Sequence, residues 1–215
     1  GDTEVLLRLL VREGAACLPK LAGMFAFAFW NRATGEALLA RDPLGIKPLY
    51  YRKDGGSLYF ASEVRVLRRE GDPVDADALR DYFLWGSVPD PQTLLVPVRQ
   101  LPAGHFLQWK NGEVSTACWY QAYRGEGRID TAHFRVLWQG LSAPAVVTRV
   151  ALEESMLRHL VSDVPVGIFL SGGIDSTVLL ALARKALGPS ADIRTFSIGF
   201  DDPEFDESAI ARRTA

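Results

Sequence analysis

Residues 169–180 read FLSGGIDSTVLL, a glycine turn between two apolar segments. An apolar strand before such a turn and an apolar helix after it place backbone N–H groups at a helix N-terminus, where they favour negative charge. Gly172 and Gly173 let the backbone approach an anion without an intervening Cβ, and the hydroxyls of Ser171 and Ser176 add short donors. The pattern predicts a binding site for a compact anion with several oxygen atoms.

The acidic residue of this turn indicates which ligand would accompany the anion. Asp175 would repel a phosphate unless a cation lay between them, so the sequence favours a Mg2+ contact for its carboxylate. The turn lacks the lysine of the GxxxxGK[ST] loop, in which that side chain reaches the β- and γ-phosphates. A structural alternative stays open: the two glycines close a tight strand-to-helix turn, and Asp175 and Ser176 cap the helix.

The elements around the turn indicate a parallel sheet. From residue 144 the pattern predicts a helix to about Val161, a strand over 166–170, a helix to Leu187, a strand over 193–200 and a last helix from about Glu207. The order strand, helix, strand is typical of parallel pairing with a crossover connection.

The first part of the chain has a different pattern. A helix capped by Asp2 or Thr3 is expected to end at Gly14. The segment GMFAFAFW is apolar on both faces, which predicts a strand buried on both sides, and the strands between residues 23 and 62 are expected to form an antiparallel meander. A helix over 77–85 and a hairpin at Asn111–Gly112 follow, the latter with the sequence of a type I′ turn.

Composition excludes several classes of partner. The 215 residues have 24 basic and 26 acidic side chains, a formal net charge of −2, so we expect no broad cationic face for nucleic acid or anionic lipid. No apolar run approaches the roughly 20 residues of a membrane span. Cys17 and Cys118 belong to no metal-binding spacing and favour a reduced, cytoplasmic compartment. Small molecules are the expected partners.

Other polar residues have simple structural interpretations. Arg41 and Asp42 are adjacent at a strand end, where a local ion pair or turn contact is expected rather than catalysis. The isolated histidines have no partner at catalytic or metal-binding spacing, so core or surface roles are expected for His105, His133 and His159.

The full SGGIDS string resembles the pyrophosphate loop of ATP-pyrophosphatases. Together with LAGMFAFAFWN, LLARDPLGIKPLYY, LYFASEVRVL, LPAGHFLQW and TFSIGF in this order, the chain resembles glutamine-hydrolysing asparagine synthetase except over about 121–144. The resemblance implies an α+β class II glutamine amidotransferase sandwich lacking its N-terminal part (1–123) and a linker (124–143). An α/β parallel-sheet ATP-pyrophosphatase domain would begin in 144–215.

The resemblance also implies a reaction. In that family the amidotransferase domain releases ammonia from glutamine, and the synthetase domain uses ATP and Mg2+ to adenylate aspartate, which ammonia then converts to asparagine. Glutamine, aspartate and ATP are therefore the expected small-molecule substrates. A homodimer is a common assembly in this family.

Site residues follow from the resemblance position by position. Asp2 matches the aspartate that recognises glutamine, although a helix cap would also explain it. Leu170 and Ile198 match positions that contact the adenosine, but both also suit buried strand residues. Asp206 and Glu207 fit helix capping best. The residues that match the pyrophosphate loop are Ser171, Gly172, Gly173, Asp175 and Ser176, with Asp175 as the expected metal ligand.

One feature of the class II domain is missing from the sequence. Its nucleophile is an N-terminal cysteine, whereas Gly1 stands first here, so we expect no catalytic residue within these 215 residues. Residues 1–215 alone are expected neither to hydrolyse glutamine nor to make asparagine. Two alternatives remain open: a paralogous ATP-dependent amidotransferase acting on another carboxylate, and a non-catalytic nucleotide-binding relic.

Overall fold

The computed structural model describes residues 1–121, 143–202, 204 and 206–215. The chain divides into two compact units, Gly1–Gly127 and Arg128–Ala215, and each is described separately below. The linker expected over 124–143 lies outside the described residues apart from Ala143, where a helix begins.

The first unit consists of helices and antiparallel strands. In chain order the elements are α1 (Asp2–Glu13), a 3-10 helix (Gly14–Lys20), β1 (Ala26–Asn31), β2 (Glu36–Arg41), β3 (Tyr50–Asp54), β4 (Ser57–Ala61), α2 (Val64–Leu67), α3 (Ala76–Trp85), β5 (Arg99–Gln100), β6 (His105–Lys110) and β7 (Glu113–Cys118). One sheet has the strand order β1-β2-β6-β7, and the other has the order β4-β3-β5. The α+β class expected for this part of the chain is confirmed.

Helix α1 ends as predicted but begins differently. It stops before Gly14, whose φ of 57° lies in the left-handed region that favours glycine. The predicted side-chain cap is wrong, because the capping position is Gly1 and no side chain caps the helix. Asp2 is itself the first helical residue, and its carboxylate accepts a hydrogen bond from the N–H of Thr3 (2.8 Å).

The predicted meander over 23–62 is wrong in its connectivity. β1 and β2 form a hairpin, but β2 then pairs with β6, and β3 pairs with β4 and β5 in the second sheet. The chain leaves the first sheet at Asp42. The buried Asp42 carboxylate accepts hydrogen bonds from the N–H groups of Leu44, Ile46 and Lys47 (3.1, 3.0 and 2.9 Å), which close the turn. The place beside β2 is therefore left for β6.

Arg41 also stabilises this turn through hydrogen bonds. Its buried guanidinium donates to the carbonyl oxygens of Lys47, Gly45 and Leu101 (2.9, 2.6 and 2.7 Å) and to the Asp90 carboxylate (3.1 Å). The turn contact expected for Arg41 and Asp42 is thus confirmed. Because these buried charges are saturated with hydrogen bonds, they stabilise the turn.

The two faces of strand β1 are buried to different extents. Phe27 and Phe29 pack against a core cluster that contains Leu10 and Leu38, whereas Ala28 is exposed and Trp30 is 53% exposed. The prediction that both faces are buried is wrong at Ala28 and Trp30, although Ala26 on the same face packs against a second core cluster that contains Leu39 and Leu49.

Local signals in the first unit are confirmed. The hairpin between β6 and β7 turns at Asn111 and Gly112, whose φ values of 50° and 82° are both positive, as a type I′ turn requires. Helix α3 spans Ala76–Trp85 and is capped by Asp75, whose carboxylate accepts hydrogen bonds from two N–H groups of the first turn.

The second unit alternates helices with short strands. Its elements are α4 (Ala143–His159), β8 (Gly167–Phe169), α5 (Ile174–Leu187), β9 (Arg194–Phe196) and α6 (Ser208–Thr214). Strands β8 and β9 are parallel, in a register that pairs Phe169 with Phe196. The predicted strand-helix-strand order with parallel pairing is confirmed, and α5 is the helix that joins the two strands.

Candidate functional site

The SGG turn lies at the carboxyl end of β8. Leu170 is almost fully buried, and its N–H donates to the carbonyl oxygen of Phe196 (2.8 Å), which extends the pairing with β9 by one residue. Helix α5 then begins at Ile174, with Gly173 at its capping position. The first N–H groups of a helix have no partner within that helix, so those of α5 face the turn as donors.

Gly172 is required by its surroundings as well as by its conformation. Its φ is 83°, and a Cβ at this position would lie 2.7 Å from Cγ2 of Ile210 and 3.3 Å from the backbone nitrogen of Ala211. Helix α6 therefore packs directly on the glycine. Gly173 is different, because its φ of −71° is ordinary and its Cβ would meet only the Ser171 hydroxyl, at 3.4 Å.

The two serine hydroxyls meet inside the turn. Their Oγ atoms are 3.2 Å apart, and the Ser176 hydroxyl donates to the carbonyl oxygen of Gly173 (3.1 Å). The Ser171 N–H in turn donates to Oγ of Ser176 (3.4 Å). Hydroxyls rotate freely, so both can also be turned toward a bound oxygen.

Asp175 occupies the first turn of α5 and is exposed. Among the described residues its carboxylate has no hydrogen-bond or ion-pair partner. The capping alternative is wrong for Asp175 and Ser176, since the capping position is Gly173 and no side chain makes a capping bond. A carboxylate that has neither a hydrogen bond nor an ion pair among the described residues is available to a cation.

A cavity of about 300 Å3 adjoins the turn. Leu170 and Ile198, the two residues expected to contact the adenosine, both line this cavity. Ile198 is 70% exposed, so the alternative interpretation of it as a buried strand residue is wrong. Strand β9 has already ended at Phe196, two residues earlier. The cavity is lined by Phe169, Leu170, Ser171, Phe196, Ser197, Ile198, Phe200, Glu207 and Ala211.

Ser197 is a site residue that sequence reasoning missed. Its hydroxyl donates to the carbonyl oxygen of Leu170 (2.6 Å), so a side chain and the backbone of β9 together hold the residue just before the turn. The only signal was its place beside Ile198 in TFSIGF.

Asp206 caps the start of α6, as expected. Its carboxylate accepts hydrogen bonds from the hydroxyl and the N–H of Ser208 (2.7 and 3.2 Å) and from the N–H of Phe200 (3.4 Å). These bonds, that of the Ser208 hydroxyl above all, hold the pKa of Asp206 below its usual value. The capping expected of Glu207 is wrong, since it stands at the capping position but its side chain makes no capping bond; it lines the cavity instead.

Asp2 belongs to the first unit, where it is exposed at the start of α1. Its role in binding glutamine stays a prediction. The thiol of Cys17 is fully buried, and that of Cys118 is exposed. Local bonds to carbonyl oxygens engage His105 (Ala103, 2.8 Å) and His159 (Ser155, 2.8 Å), which confirms structural roles for both, and His133 lies outside the described residues.

Two features are absent from the residues that the structure describes. These residues contain no group of three or more His, Cys, Asp or Glu side chains that could hold a metal ion. None of the helices in the part of the chain that the structure describes is long and apolar enough to cross a membrane.

Comparison with known proteins matches each unit to a family. A family model of the glutamine amidotransferase domain matches residues 1–120, and one of asparagine synthase matches residues 148–215. Asparagine synthetase [glutamine-hydrolyzing] 1 of Bacillus subtilis (strain 168) is 36% identical over the whole of this chain. The chain belongs to the glutamine-hydrolysing asparagine synthetase family. The resemblance predicted from the sequence is confirmed.

One further relative and one solved structure show how much of each chain is similar. Asparagine synthetase B of Escherichia coli (strain K12) is 35% identical over 86% of this chain. The chain covers 32% of the B. subtilis relative and 27% of the E. coli one, so it spans about a third of their length or less. The solved glutamine phosphoribosylpyrophosphate amidotransferase from B. subtilis, complexed with ADP and GMP, matches 95% of the chain at 18% identity, with a TM-score of 0.38, and 41% of that structure is covered.

Proposed function

We propose that the complete protein is an asparagine synthase, a carbon–nitrogen ligase that takes its amido group from glutamine. The observation that carries the proposal is the SGG turn between a parallel strand and a helix, located in the part of the chain that matches asparagine synthase. A glutamine amidotransferase domain precedes it in the same chain.

The proposed architecture has two domains. Residues 1–123 belong to a class II amidotransferase sandwich, 124–143 form the linker, and 144–215 begin an ATP-pyrophosphatase domain. The two antiparallel sheets support the first assignment, and the parallel β8–α5–β9 unit supports the last. We further propose a cytoplasmic homodimer, on the resemblance to the family; both cysteines are free thiols, as a reduced compartment requires.

The residues of the turn fit a nucleotide with its Mg2+. A Cβ at Gly172 would collide with α6, the N–H groups at the start of α5 face the turn, and the Asp175 carboxylate has no partner among the described residues. We assign the β,γ-pyrophosphate of ATP to Ser171, Gly172, Gly173, Asp175 and Ser176, with Asp175 acting through Mg2+. When bound, Mg2+ would neutralise charge on the phosphate oxygens.

The adenosine would occupy the adjoining cavity. Leu170 supplies a buried apolar wall that Ser197 and β9 hold in place, and the exposed Ile198 supplies a second apolar surface. About 300 Å3 lies at the lower end of the usual size of small-molecule sites.

In the proposed reaction, a carboxylate oxygen of aspartate attacks the α-phosphorus, and the bond to pyrophosphate breaks. Negative charge then grows on the pyrophosphate oxygens, to which the N–H groups of the turn and, once rotated, the hydroxyls of Ser171 and Ser176 would donate. The turn thus binds the leaving group more tightly as the bond breaks. Ammonia then displaces AMP from the adenylated aspartate to give asparagine.

In the first unit, Asp2 is proposed to recognise glutamine. The ammonia-releasing nucleophile is not assigned to either cysteine described here. Cys17 is fully buried and burial raises its pKa, and the thiol of Cys118 donates to the carbonyl oxygen of Tyr120 (3.2 Å).

The test is Asp175→Asn in the complete protein. Because the change removes a metal-binding charge and little volume, aspartate-dependent ATP–pyrophosphate exchange should fall about 100-fold, the scale of losing one transition-state contact. Glutamine hydrolysis should stay within about twofold of the wild type, since the two activities belong to different domains. Asp192→Asn, which removes an exposed carboxylate of the same unit, is the control. Equal loss of exchange and hydrolysis in Asp175→Asn would count against the assignment.

A further inference from the structure

We propose that Asp206 is a positioning residue for the nucleotide turn, acting through helix α6. The inference rests on the proposed function for the identity of the ligand, but the mechanical link that it describes lies wholly within the second unit. Asp206 itself has no part in the proposed contacts to ATP or Mg2+.

The Asp206 carboxylate joins two segments of the chain. One oxygen accepts from the N–H groups of Ser208 and Phe200, and the other accepts from the Ser208 hydroxyl. Phe200 lies beyond the end of β9, and Ser208 is the first residue of α6. The start of α6 is therefore fixed relative to the strand that pairs with β8.

Helix α6 in turn packs against the SGG turn, so fixing its start also restricts the position of the turn. Ile210 and Ala211 pack on Gly172 so closely that a Cβ there would lie within 3.3 Å of both. Ala211 is almost fully buried, and it lines the proposed adenosine cavity together with Glu207. The first turn of α6 is thus a wall of the cavity and a support behind Gly172.

The same geometry argues against a direct metal contact by Asp206. Both carboxylate oxygens are occupied by protein donors, whereas those of Asp175 are not. An anchoring carboxylate needs acceptor oxygens in the right place more than it needs its negative charge. Asparagine should therefore replace Asp206 far better than alanine does, because its carbonyl oxygen can still accept from the two N–H groups.

The experiment compares Asp206→Ala, Asp206→Asn and Asp192→Asn in the complete protein. Amide hydrogen exchange is followed in the peptide that contains residues 170–176, and Mg·ATP affinity is measured by calorimetry. In Asp206→Ala, exchange of the turn should accelerate at least about tenfold and the Kd for Mg·ATP should rise about tenfold, the effect expected from losing charged hydrogen bonds. Asp206→Asn should change each by less than about threefold, and Asp192→Asn should match the wild type.

Three outcomes decide the inference. Unchanged exchange of the turn in Asp206→Ala would overturn it. So would equal loss of affinity in the asparagine and alanine variants with a shifted Mg2+ dependence, since that result would make Asp206 a metal ligand. If Asp206→Ala does not fold, Ser208→Ala removes only the 2.7 Å bond and should give a smaller acceleration in the same peptide; no acceleration there would likewise overturn the inference.

The proposed function can fail separately. A wild-type protein that shows no carboxylate-dependent ATP–pyrophosphate exchange would refute the assigned reaction. Hydrogen exchange of the turn in the same variants would still test whether Asp206 positions it, because that readout needs no turnover.

Discussion

Replacing Gly172 with alanine should displace the turn from helix α6. At this position φ is 83°, and the added methyl carbon would lie 2.7 Å from Cγ2 and 3.0 Å from Cβ of Ile210. Ile210 is β-branched and its Cβ moves only with the backbone, so the side chain cannot swing away without shifting α6. Both the conformation and the packing therefore oppose the substitution.

The cost has two parts. Holding a residue with a Cβ in the left-handed region costs about 1–2 kcal/mol, and overpacking a close contact adds about 1–3 kcal/mol. The free energy of unfolding of the second unit should thus fall by about 2–5 kcal/mol. Since every 1.4 kcal/mol is a factor of ten, Mg·ATP affinity should fall about 30-fold or more if the displaced turn loses a comparable part of its binding energy.

Gly173→Ala is the matched control. That residue has an ordinary φ of −71°, and its Cβ would meet only the Ser171 hydroxyl at 3.4 Å. Native-state hydrogen exchange of the α5 amides in the complete protein measures the stability of the second unit, and calorimetry measures Mg·ATP binding. Gly173→Ala should leave stability within about 0.5 kcal/mol of the wild type, the range of a substitution without strain.

The double variant Gly172→Ala with Ile210→Ala separates the two costs. Removing Cγ2 of Ile210 relieves the 2.7 Å contact but leaves the backbone conformation strained, so only part of the lost stability should return. If Gly172→Ala is as stable as Gly173→Ala, the reasoning about close packing on α6 is refuted.

Two further predictions concern the first unit. Asp42→Asn should lower its stability at pH 7 by about 2 kcal/mol, because three backbone N–H groups lose a charged acceptor. Burial, the largest influence, raises the pKa of Asp42, but together the hydrogen bonds from Lys47, Ile46 and other backbone groups outweigh it, so the pKa lies below 3.8. A depressed pKa stabilises the folded state above about pH 4 and loses this effect as pH falls through it. Urea unfolding should therefore show the difference between wild type and variant shrinking below pH 4; a constant difference would contradict this account. A thiol reagent should label the exposed Cys118 in the native protein and Cys17 only on unfolding, and early labelling of both, read by mass spectrometry, would contradict the buried position of Cys17.

The elements of the second unit could be predicted from local sequence signals. A glycine with positive φ, a helix start and apolar flanking segments are all encoded within 169–180, so the strand, turn and α5 could be predicted together. The capping role of Asp206 is local too, since its main partner is two residues away.

Long-range contacts were not predictable in the same way. The pairing of β2 with β6 joins residues about 70 positions apart, and nothing between residues 23 and 62 indicates it. The packing of Ile210 against Gly172 could not be predicted from the sequence either, because it depends on where α6 lies relative to the turn. Ile198 is exposed because β9 already ends at Phe196. The apolar segment over 193–200 gives no signal of where the strand ends.

The most direct test of the central claim is ATP–pyrophosphate exchange by the complete protein with Mg2+ and each candidate carboxylate in turn. The account predicts exchange that depends on aspartate and is lost in Asp175→Asn. Exchange supported only by another carboxylate would contradict the aspartate assignment, and ATP binding without any carboxylate-dependent exchange would contradict the ligase function itself.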